Sequence, residues 1–284
     1  MHRPKFSRRS IRLTKRNFLH FLAIALGTVA LSAASANRCL AADTNLIPAW
    51  AYPGSSTHTQ VAPPGDFRRP SRNFDTPIGL FEGQSDIGGP FLPGQASFDP
   101  ALKQYTVTSA GYNIWYTRDE FRYLWKKMSG DVSLSADVNI LNTNNFGDCK
   151  VVVIIRQNLE DDSKEALATL HGAGMIALAF RPEKGVRVKD MEYGQLGSRG
   201  RNASRPDSLV AVTAKRIGLE KHGDEFALYV SLEGEPMHQF GPPITLHLDG
   251  PFYAGIGFCS HQPDKADTAV FSNVALENSA GKVR

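Results

Sequence analysis

Cysteine is scarce in this sequence, and the cysteines that are present form no recognised chemical motif. The chain has 284 residues and three cysteines, Cys39, Cys149 and Cys259. No C-x-x-C, C-x-x-C-H or H-E-x-x-H segment occurs. The sequence therefore gives no support to a zinc site, covalent haem attachment or metalloprotease chemistry, and we predict no metal-binding residue and no resident cofactor of these kinds.

Two interpretations of the cysteines remain open. Removal of an N-terminal segment would take away Cys39 and leave Cys149 and Cys259, an even pair that suits a disulfide in an oxidising compartment. Both residues also lie in strand-like segments, where unpaired cysteines pack as small buried side chains. A disulfide requires Cα atoms within about 7 Å of each other, which the sequence alone does not place.

Long apolar runs are also absent. The longest is FLAIALGTVALSAA, about 14 residues, whereas a membrane-spanning helix needs about 20. It follows a basic segment and precedes small-residue cleavage sites that end at Ala36 and Ala42. This order predicts an export signal over residues 1–42 and a periplasmic or secreted protein, with retention as a membrane anchor as the alternative. Lys15 and Arg16 stand where the twin-arginine export motif, which the segment resembles, has its arginine pair.

An excess of basic residues is missing from the predicted mature chain. Residues 1–42 hold eight of the 32 Lys and Arg residues and no acidic residue, so 24 basic residues remain against 28 acidic ones. A protein that binds nucleic acid typically carries a basic surface. We therefore predict no nucleic-acid partner and, once the signal is removed, no retained membrane span.

Proline, in contrast, is concentrated near the start of the mature chain. The prolines of this segment are Pro48, Pro53, Pro63, Pro64, Pro70 and Pro77. Such a density excludes a regular helix and interrupts a sheet. We predict a proline-rich linker, or an arm on the domain surface, over residues 43–80 and a single folded domain over residues 81–284.

Helical periodicity is nearly absent from that domain, and short strand patterns follow one another. KVVVIIRQ is a continuous β-branched run, typical of a central strand buried on both faces. Hairpins are predicted around residues 172–174 and 222–224, where glycine interrupts two apolar runs. Many short antiparallel strands with little helix predict two sheets packed face to face, or a barrel, and the chain length favours a sandwich with about a dozen strands.

Segments between residues 85 and 277 match a known family in the same order. They include DIGGP, FDPALKQYTVTSAGYNIW, DEFRYLWKKMSGDVSLSADV, VVVIIRQNLEDDS, RIGLEKHGDEFALYVSLEG and FYAGIGFCSHQPDKADTAVFSNVAL. The chain resembles the concanavalin A-like lectin/glucanase-fold family of exported uncharacterised domains, whose relatives include β-xylosidase C-terminal modules, regulator-of-enolase-like proteins and domains beside TolB-like propellers. The resemblance implies an all-β, concanavalin A-like jelly-roll sandwich of two antiparallel sheets, whose concave sheet or rim often meets a carbohydrate.

The chain departs from the related enzymes in its acidic residues. The Glu-x-Asp-x-x-Glu spacing occurs once, from Glu160 to Glu165, but it begins in a cluster of turn acids rather than lying along one strand as in those enzymes. Glycoside hydrolysis requires two carboxyl groups across the scissile bond. Acids here cluster in turns, and on the strand DVSLSADVNI only Asp137 projects from the middle. We predict no catalytic residue. If the protein is an atypical carbohydrate-active enzyme, Asp137 with Asp119 or Glu165 is the first pair to examine.

The aromatic residues of EFRYLWKKM supply the first candidate ligand-binding residues. Strand alternation places Phe121, Tyr123, Trp125 and Lys127 on one face. Tyr123, Trp125 and Lys127 would contact a saccharide if this face lines the concave groove, because aromatic rings offer a flat apolar surface beside polar groups. The alternative is that the aromatic rings pack between the two sheets and Lys127 lies at the edge.

Four further candidates come from strand ends. Arg156 ends the apolar run, and its planar guanidinium suits sugar hydroxyls or a uronate carboxylate, or else a structural ion pair with Asp161 or Glu165. The remaining candidates, near the same predicted rim, are His171, Arg181 and His261. A lone histidine usually makes local hydrogen bonds, so these side chains form a site only if the fold brings them together.

The composition of one loop is compatible with the binding of a metal ion. Residues 142–148, NTNNFGD, are dense in the oxygen ligands that calcium prefers. They do not match the Asp-x-Asp-x-Asp-Gly pattern, and asparagine-rich turns are common without a metal. Calcium is therefore kept as a candidate that the loop's composition alone supports.

Three hypotheses of function follow from the sequence. The first is an exported, non-catalytic module that binds a glycan or polysaccharide, favoured by an open groove containing Tyr123, Trp125 and Arg156. The second is a protein-interaction module for an envelope protein such as a TolB-like propeller, favoured by a buried Trp125 and a flat apolar edge. The third is an atypical carbohydrate-active enzyme, favoured by two facing carboxyl groups in a cleft.

Overall fold

A computed structural model describes residues 68–141, 147–172, 174–192, 214–232 and 234–283. The predicted signal segment, most of the proline-rich segment and residues 142–146 of the candidate calcium loop lie outside these ranges. All regular secondary structure in the described ranges is β-strand. None of it is a helix long and apolar enough to cross a membrane.

The described residues form eighteen strands. They are β1 (Arg72–Phe74), β2 (Gly83–Ile87), β3 (Gln95–Asp99), β4 (Gln104–Ser109), β5 (Ile114–Trp115), β6 (Arg118–Asp119), β7 (Phe121–Met128), β8 (Val132–Ile140), β9 (Lys150–Arg156), β10 (Glu165–His171), β11 (Ile176–Arg181), β12 (Lys189–Glu192), β13 (Arg216–His222), β14 (Glu225–Ser231), β15 (His238–Gln239), β16 (Ile244–Thr245), β17 (Phe252–Cys259) and β18 (Asp267–Glu277). The count exceeds the predicted dozen because several strands are only two to four residues long.

Two large antiparallel sheets contain nearly all of these strands. The first sheet has the order β1-β2-β7-β17-β9-β10-β11-β12, and the second has the order β15-β14-β13-β8-β18-β4-β3, with β16 beside β14. Strands β5 and β6 form a separate hairpin. The predicted fold class, an all-β jelly-roll sandwich of two antiparallel sheets, is therefore confirmed.

Strand β9 shows how the sequence produces this arrangement. All seven of its residues are buried, and β17 and β10 flank it on either side, which confirms the predicted central strand. Its side chains alternate: Val151, Val153 and Ile155 join the core between the sheets, whereas Val152 and Ile154 join a second apolar cluster on the opposite face. A continuous β-branched run is required because both faces are covered.

The face of the first sheet turned away from the inter-sheet core is called the outer face below. Its apolar cluster comprises Ile87, Ile114, Phe121, Tyr123, Trp125, Val152, Ile154, Leu167, Ala179, Val188 and Cys259. The β5–β6 hairpin contributes Ile114 to this cluster and so lies over part of the outer face. The face that the sequence marked as a possible groove is therefore partly covered by the chain itself.

Both predicted hairpins are confirmed. Strands β10 and β11 pair around residues 172–174, and β13 and β14 pair around Gly223, whose φ is +56°. The turn after β7 instead carries the chain from the first sheet to β8 in the second. Alternation identifies both of these strands but does not distinguish a hairpin from a change of sheet.

The cysteine question has a structural answer. Cys149 and Cys259 are both buried and both free. Cys149 belongs to the inter-sheet core and Cys259 to the outer-face cluster, so the two thiols lie on opposite faces of one sheet. Of the two interpretations, the unpaired one describes the structure.

Candidate functional site

The outer face carries polar residues at both ends of an apolar centre. Strand register aligns Tyr253, Arg156, Glu165 and Arg181 in one row across β17, β9, β10 and β11. The opposite end of the same strands carries Lys150 and His171, with Cys259 next to Lys150. The two ends lie about 20 Å apart along a seven-residue strand. Of the seven candidate ligand-binding residues, Tyr123 and Trp125 belong to the apolar centre, and the other five lie towards one end or the other.

A charge cluster, defined as Asp119, Arg156, Glu165 and Arg181, lies at the first end with all four side chains fully buried. Nη1 of Arg156 lies 3.1 Å from both Asp119 Oδ2 and Glu165 Oε2. Arg181 Nη2 lies 2.6 Å from Asp119 Oδ1, and its Nη1 lies 2.8 Å from Glu165 Oε1. Two cations thus face two carboxylates, which is how buried charges are accommodated.

The electrostatics of the charge cluster follow from burial. Burial raises the pKa of Glu165 to about 8, while Arg156 and Arg181 act in the opposite direction and Asp119 adds to the rise. The pKa of Arg181 is raised because Asp119 and Glu165 outweigh the effect of burial. Arg156 and Arg181, predicted as ligand-binding residues, therefore neutralise buried acids, and the structural alternative for Arg156 with Glu165 is the arrangement observed.

The structure brings together neither candidate carboxyl pair, Asp137 with Asp119 or Asp137 with Glu165. Asp119 and Glu165 do lie together, but within the fully buried charge cluster rather than in a cleft. Asp137 lies on β8 in the other sheet, where its Oδ1 is 2.8 Å from Arg216 Nη1. Neither arrangement places two carboxyl groups on opposite sides of an open site, as glycoside hydrolysis requires.

Tyr123 and Trp125 point to the outer face and are buried there. Tyr123 is 0% exposed, and its hydroxyl donates to the Tyr253 carbonyl at 2.9 Å. Trp125 is 6% exposed, and its Nε1 donates to Ser85 Oγ at 2.9 Å. The structure thus differs from both alternatives for these aromatic residues, since they neither pack between the sheets nor line an open groove. A side chain at Gly83 would collide with the Trp125 indole, so this position requires glycine.

Tyr253 is the half-buried aromatic residue that these buried rings support. The Trp125 and Tyr253 rings meet edge to face with centroids 5.1 Å apart. Lys127 is exposed, pairs with Tyr253 across β7 and β17, and places Nζ 5.9 Å from the centre of the Tyr253 ring. The predicted trio of Tyr123, Trp125 and Lys127 therefore converges on a tyrosine that the sequence interpretation did not select.

The other end of the outer face holds the two candidate histidines. His171 and His261 are buried, and Asp148 Oδ1 lies 3.9 Å from His171 Nδ1. The His171 imidazole is the main influence that lowers the pKa of Asp148 to about 2, and His261 and Lys150 act in the same direction. Lys150 is also buried, with Nζ 5.3 Å from the centre of the Trp115 ring. The histidines are thus brought together with one another, but not with Arg156 or Arg181.

A surface pocket of about 650 Å³ opens beside Tyr253. Its lining residues are Arg68, Arg69, Pro70, Ser71, Asn73, Leu159, Glu160, Asp161 and Tyr253. Residues 68–74, which include β1 at the edge of the first sheet, form one wall and are called the arm below. The size lies within the range of about 300–1,000 Å³ typical of small-ligand sites.

Ion pairs hold the arm against the sandwich. Arg68 Nη2 lies 2.5 Å from Asp161 Oδ1 and 3.0 Å from Asp162 Oδ2. Arg69 Nη2 lies 3.0 Å from Glu120 Oε1, and its Nε donates to the Gly89 carbonyl at 2.6 Å. Glu120 is buried, and burial raises its pKa although Arg69 acts against that rise. The pocket wall is therefore tied to the fold by charged contacts rather than by apolar packing alone.

The pocket residues were missed by sequence reasoning for different reasons. Arg68, Arg69 and Asn73 lie in a segment interpreted as a linker or arm, where no ligand contact was sought. Tyr253 lies in FYAGIGF, where strand alternation places it on one face with two glycines. An aromatic residue that shares a strand face with two glycines was the available signal, and the space above Gly257 is taken by the Phe121 ring.

No cluster of three or more His, Cys, Asp or Glu residues that could hold a metal ion occurs in the described ranges. The calcium candidate rests on a loop of which residues 142–146 lie outside those ranges. Calcium binding therefore stays a prediction from composition.

Comparison with known proteins finds solved structures that resemble this chain only at low sequence identity. No family model matches the sequence, and no curated protein does. A functionally unknown protein from Saccharomyces cerevisiae is 14% identical with a TM-score of 0.47, covering 67% of this chain and 95% of its own. The carbohydrate-binding module CBM66 from Bacillus subtilis is 17% identical with a TM-score of 0.39, covering 65% of this chain and 92% of its own. An alginate lyase from Klebsiella pneumoniae is 13% identical with a TM-score of 0.39, covering 66% and 85%.

Proposed function

We propose that this protein is an exported, non-catalytic module that binds a saccharide in the pocket between the arm and Tyr253. The observation that carries the proposal is the position of the half-buried Tyr253 ring beside the exposed Arg68 and Asn73 side chains in one pocket. A saccharide offers apolar ring faces and many hydroxyl groups. An aromatic ring with nearby planar donors and acceptors matches both features.

The support beneath the pocket favours a preformed site. Trp125 contacts the Tyr253 ring from the buried side, and the Tyr123 hydroxyl holds the Tyr253 carbonyl. A ring fixed by such contacts loses little conformational entropy when a ligand binds, which favours affinity. The buried aromatic residues therefore contribute indirectly, by positioning Tyr253.

The second hypothesis has less structural support than the first. It called for a buried Trp125 together with a flat apolar sheet edge. Trp125 is buried, but the edge strand next to β2 is β1, all three residues of which are exposed and one of which is Arg72. That edge carries Arg72 and Asn73 beside an exposed Phe74, so it is not the flat apolar edge that the hypothesis called for, and the pocket is the better candidate for a binding site.

The test is a glycan-array screen of the chain that begins at Asp43, followed by calorimetry on any saccharide that binds. Tyr253→Ala should weaken binding by at least about 30-fold, the effect of losing a central aromatic contact. Tyr229→Ala is the matched control, because Tyr229 is also half-buried but lies in the second sheet. Trp125→Ala is unsuitable as a probe, since this residue is buried and its loss would change stability.

Two results would contradict the proposal. One is the absence of binding to every glycan by the folded wild-type chain. The other is saccharide binding that Tyr253→Ala leaves unchanged, because the pocket would then not be the site.

A further inference from the structure

The arginines at the pocket are more exposed to solvent than the acidic side chains with which they pair. Arg68 has 48% of its side chain exposed, whereas its partners Asp161 and Asp162 are 6% and 10% exposed. Arg69 is likewise more exposed than its partner, at 24% against 10% for Glu120. The arm therefore presents cations to the solvent side of the pocket and keeps the carboxylates that balance them beneath.

Arg68 has donors that its ion pairs do not use. Both of its acidic partners contact the same atom, Nη2. Within the part of the chain that the structure describes, Nη1 and Nε of Arg68 make no other recorded hydrogen bond. Nη1 lies on the same side as Cδ, so its N–H groups and the Nε N–H do not form a fork for one carboxylate, but Nη1 alone can donate to a carboxylate oxygen.

Lys127, which lies next to the Tyr253 ring but outside the pocket lining, supplies a second cation. Its Nζ is 5.9 Å from the ring centre, and no carboxylate of the described residues forms an ion pair with it. Glu82 accepts a hydrogen bond from the Lys127 main-chain nitrogen at 3.2 Å, not from the ammonium group. An exposed lysine that is not paired locally remains available to an anionic ligand.

Glu160, the exposed acidic residue at the pocket, has its own ion-pair partner. Glu160 is 56% exposed and forms an ion pair with Lys184, which is 53% exposed. Lys184 also lies 3.8 Å from Asp162 Oδ1. Two cations, Arg68 and Lys184, thus pair with the three acids Glu160, Asp161 and Asp162, and the donors that these ion pairs do not use are Arg68 Nη1 and the Lys127 ammonium group.

From this arrangement we infer that the saccharide bound in the pocket is acidic and carries a carboxylate, that is, a uronate-containing glycan. The inference rests on the proposed function and specifies its ligand. A uronate combines a sugar ring for Tyr253 with a planar carboxylate for Arg68 or Lys127. Arg156, the residue for which the sequence suggested a uronate contact, is fully buried in the charge cluster and does not take this role.

The test compares saccharides that differ only in charge. Short oligogalacturonates and oligomannuronates are titrated into the chain from Asp43 in parallel with their methyl esters, and neutral gluco- and xylo-oligosaccharides of equal length are included. An acid should bind about tenfold more tightly than its own ester, the effect of one charge-assisted contact. This ratio should shrink when sodium chloride is raised from about 50 to 500 mM, because salt screens the contact.

Two adjacent lysines provide the matched variants. Lys127→Gln should reduce the preference for the acid over its ester about fivefold and leave affinity for the ester unchanged. Lys126→Gln removes the same charge from the neighbouring position on the other face of β7 and should change neither value. Equal effects of the two variants would overturn the role of Lys127.

The outcomes separate the inference from the proposed function. Equal binding of acid and ester, or tighter binding of neutral oligosaccharides, would overturn the inference while saccharide binding in the pocket stands. Preference for sulfated over carboxylated glycans would also overturn it. Failure of every saccharide, acidic and neutral, to bind would overturn the proposed function and the inference with it.

Discussion

Tyr253 and Trp125 have different roles at the pocket, because the Tyr253 ring is accessible and the Trp125 ring is buried. Trp125 is 6% exposed and satisfies its indole N–H with Ser85 Oγ, so it has no surface to offer a ligand. Tyr253 rests against it edge to face and remains half-buried beside Arg68 and Asn73. The aromatic pair thus contributes binding surface through one residue and rigidity through the other.

The two cysteine thiols should be unreactive in the folded protein. Burial is the main cause that raises the pKa of Cys149 to about 11 and that of Cys259 to about 12. The reactive thiolate is then scarce near neutral pH, and both sulfurs are shielded from reagent. A colorimetric thiol titration at about pH 8 of the chain from Asp43 should show no fast reaction before denaturation and two thiols per chain after it.

Either of two results would contradict this account of the cysteines. Rapid reaction of the native protein would show an accessible thiol. Denatured protein that yields no thiol until a reductant is added would show a disulfide.

Single residues of the site were only partly predictable from the sequence. Alternation correctly placed Tyr123, Trp125 and Lys127 on one face of β7, because this property depends on the strand alone. Whether that face is open depends on the β5–β6 hairpin, which directly precedes β7, and on the arm, which comes from a distant part of the chain. The pocket joins Arg68 and Tyr253, which are far apart in the sequence, and no local pattern encodes that contact.

At the scale of elements, the β5–β6 hairpin is held to the outer face by both apolar and charged contacts. Ile114 packs into the outer-face cluster, and Asp119 pairs with Arg156 and Arg181. The Asp119 main-chain nitrogen also donates to the Asp161 carbonyl at 2.8 Å, which links the hairpin to a wall of the pocket. The charge cluster therefore stabilises the position of a covering element.

Replacement of Asp119 should be strongly destabilising. Asp119→Asn would leave two buried guanidinium groups facing the single carboxyl group of Glu165, at a cost of about 3–5 kcal/mol in the free energy of unfolding. Asp137→Asn is the control: Asp137 also pairs with an arginine, but it is 37% exposed and should cost about 1 kcal/mol or less. Urea unfolding of both variants gives the comparison, and similar costs would contradict a structural role for the charge cluster.

Elements of the sandwich were more predictable than the residues of the site. The β-branched run of β9 and the glycine turns of two hairpins have local signatures, and the structure contains all three. The β5–β6 hairpin was not anticipated, because two-residue strands are too short to show a period. The change of sheet between β7 and β8 also has no local signature, since both sides of a turn alternate in the same way in either case.

At the scale of the whole molecule, residues 1–42 are predicted to be an export signal that is removed from the mature chain. If the signal interpretation is correct, full-length protein expressed in a bacterial host should be recovered outside the cytoplasm with its N-terminus at Asn37 or Asp43. Intact-mass analysis and N-terminal sequencing measure this directly. A chain that keeps residues 1–42 would contradict it.

The central claim is that a saccharide binds between the arm and Tyr253. It is tested most directly by a crystal structure of the chain from Asp43 with the tightest-binding oligosaccharide from the array. The account predicts a sugar ring against Tyr253, within hydrogen-bonding distance of Arg68 or Asn73. A sugar bound instead at the opposite end of the outer face, beside Lys150, or on the second sheet would contradict the account.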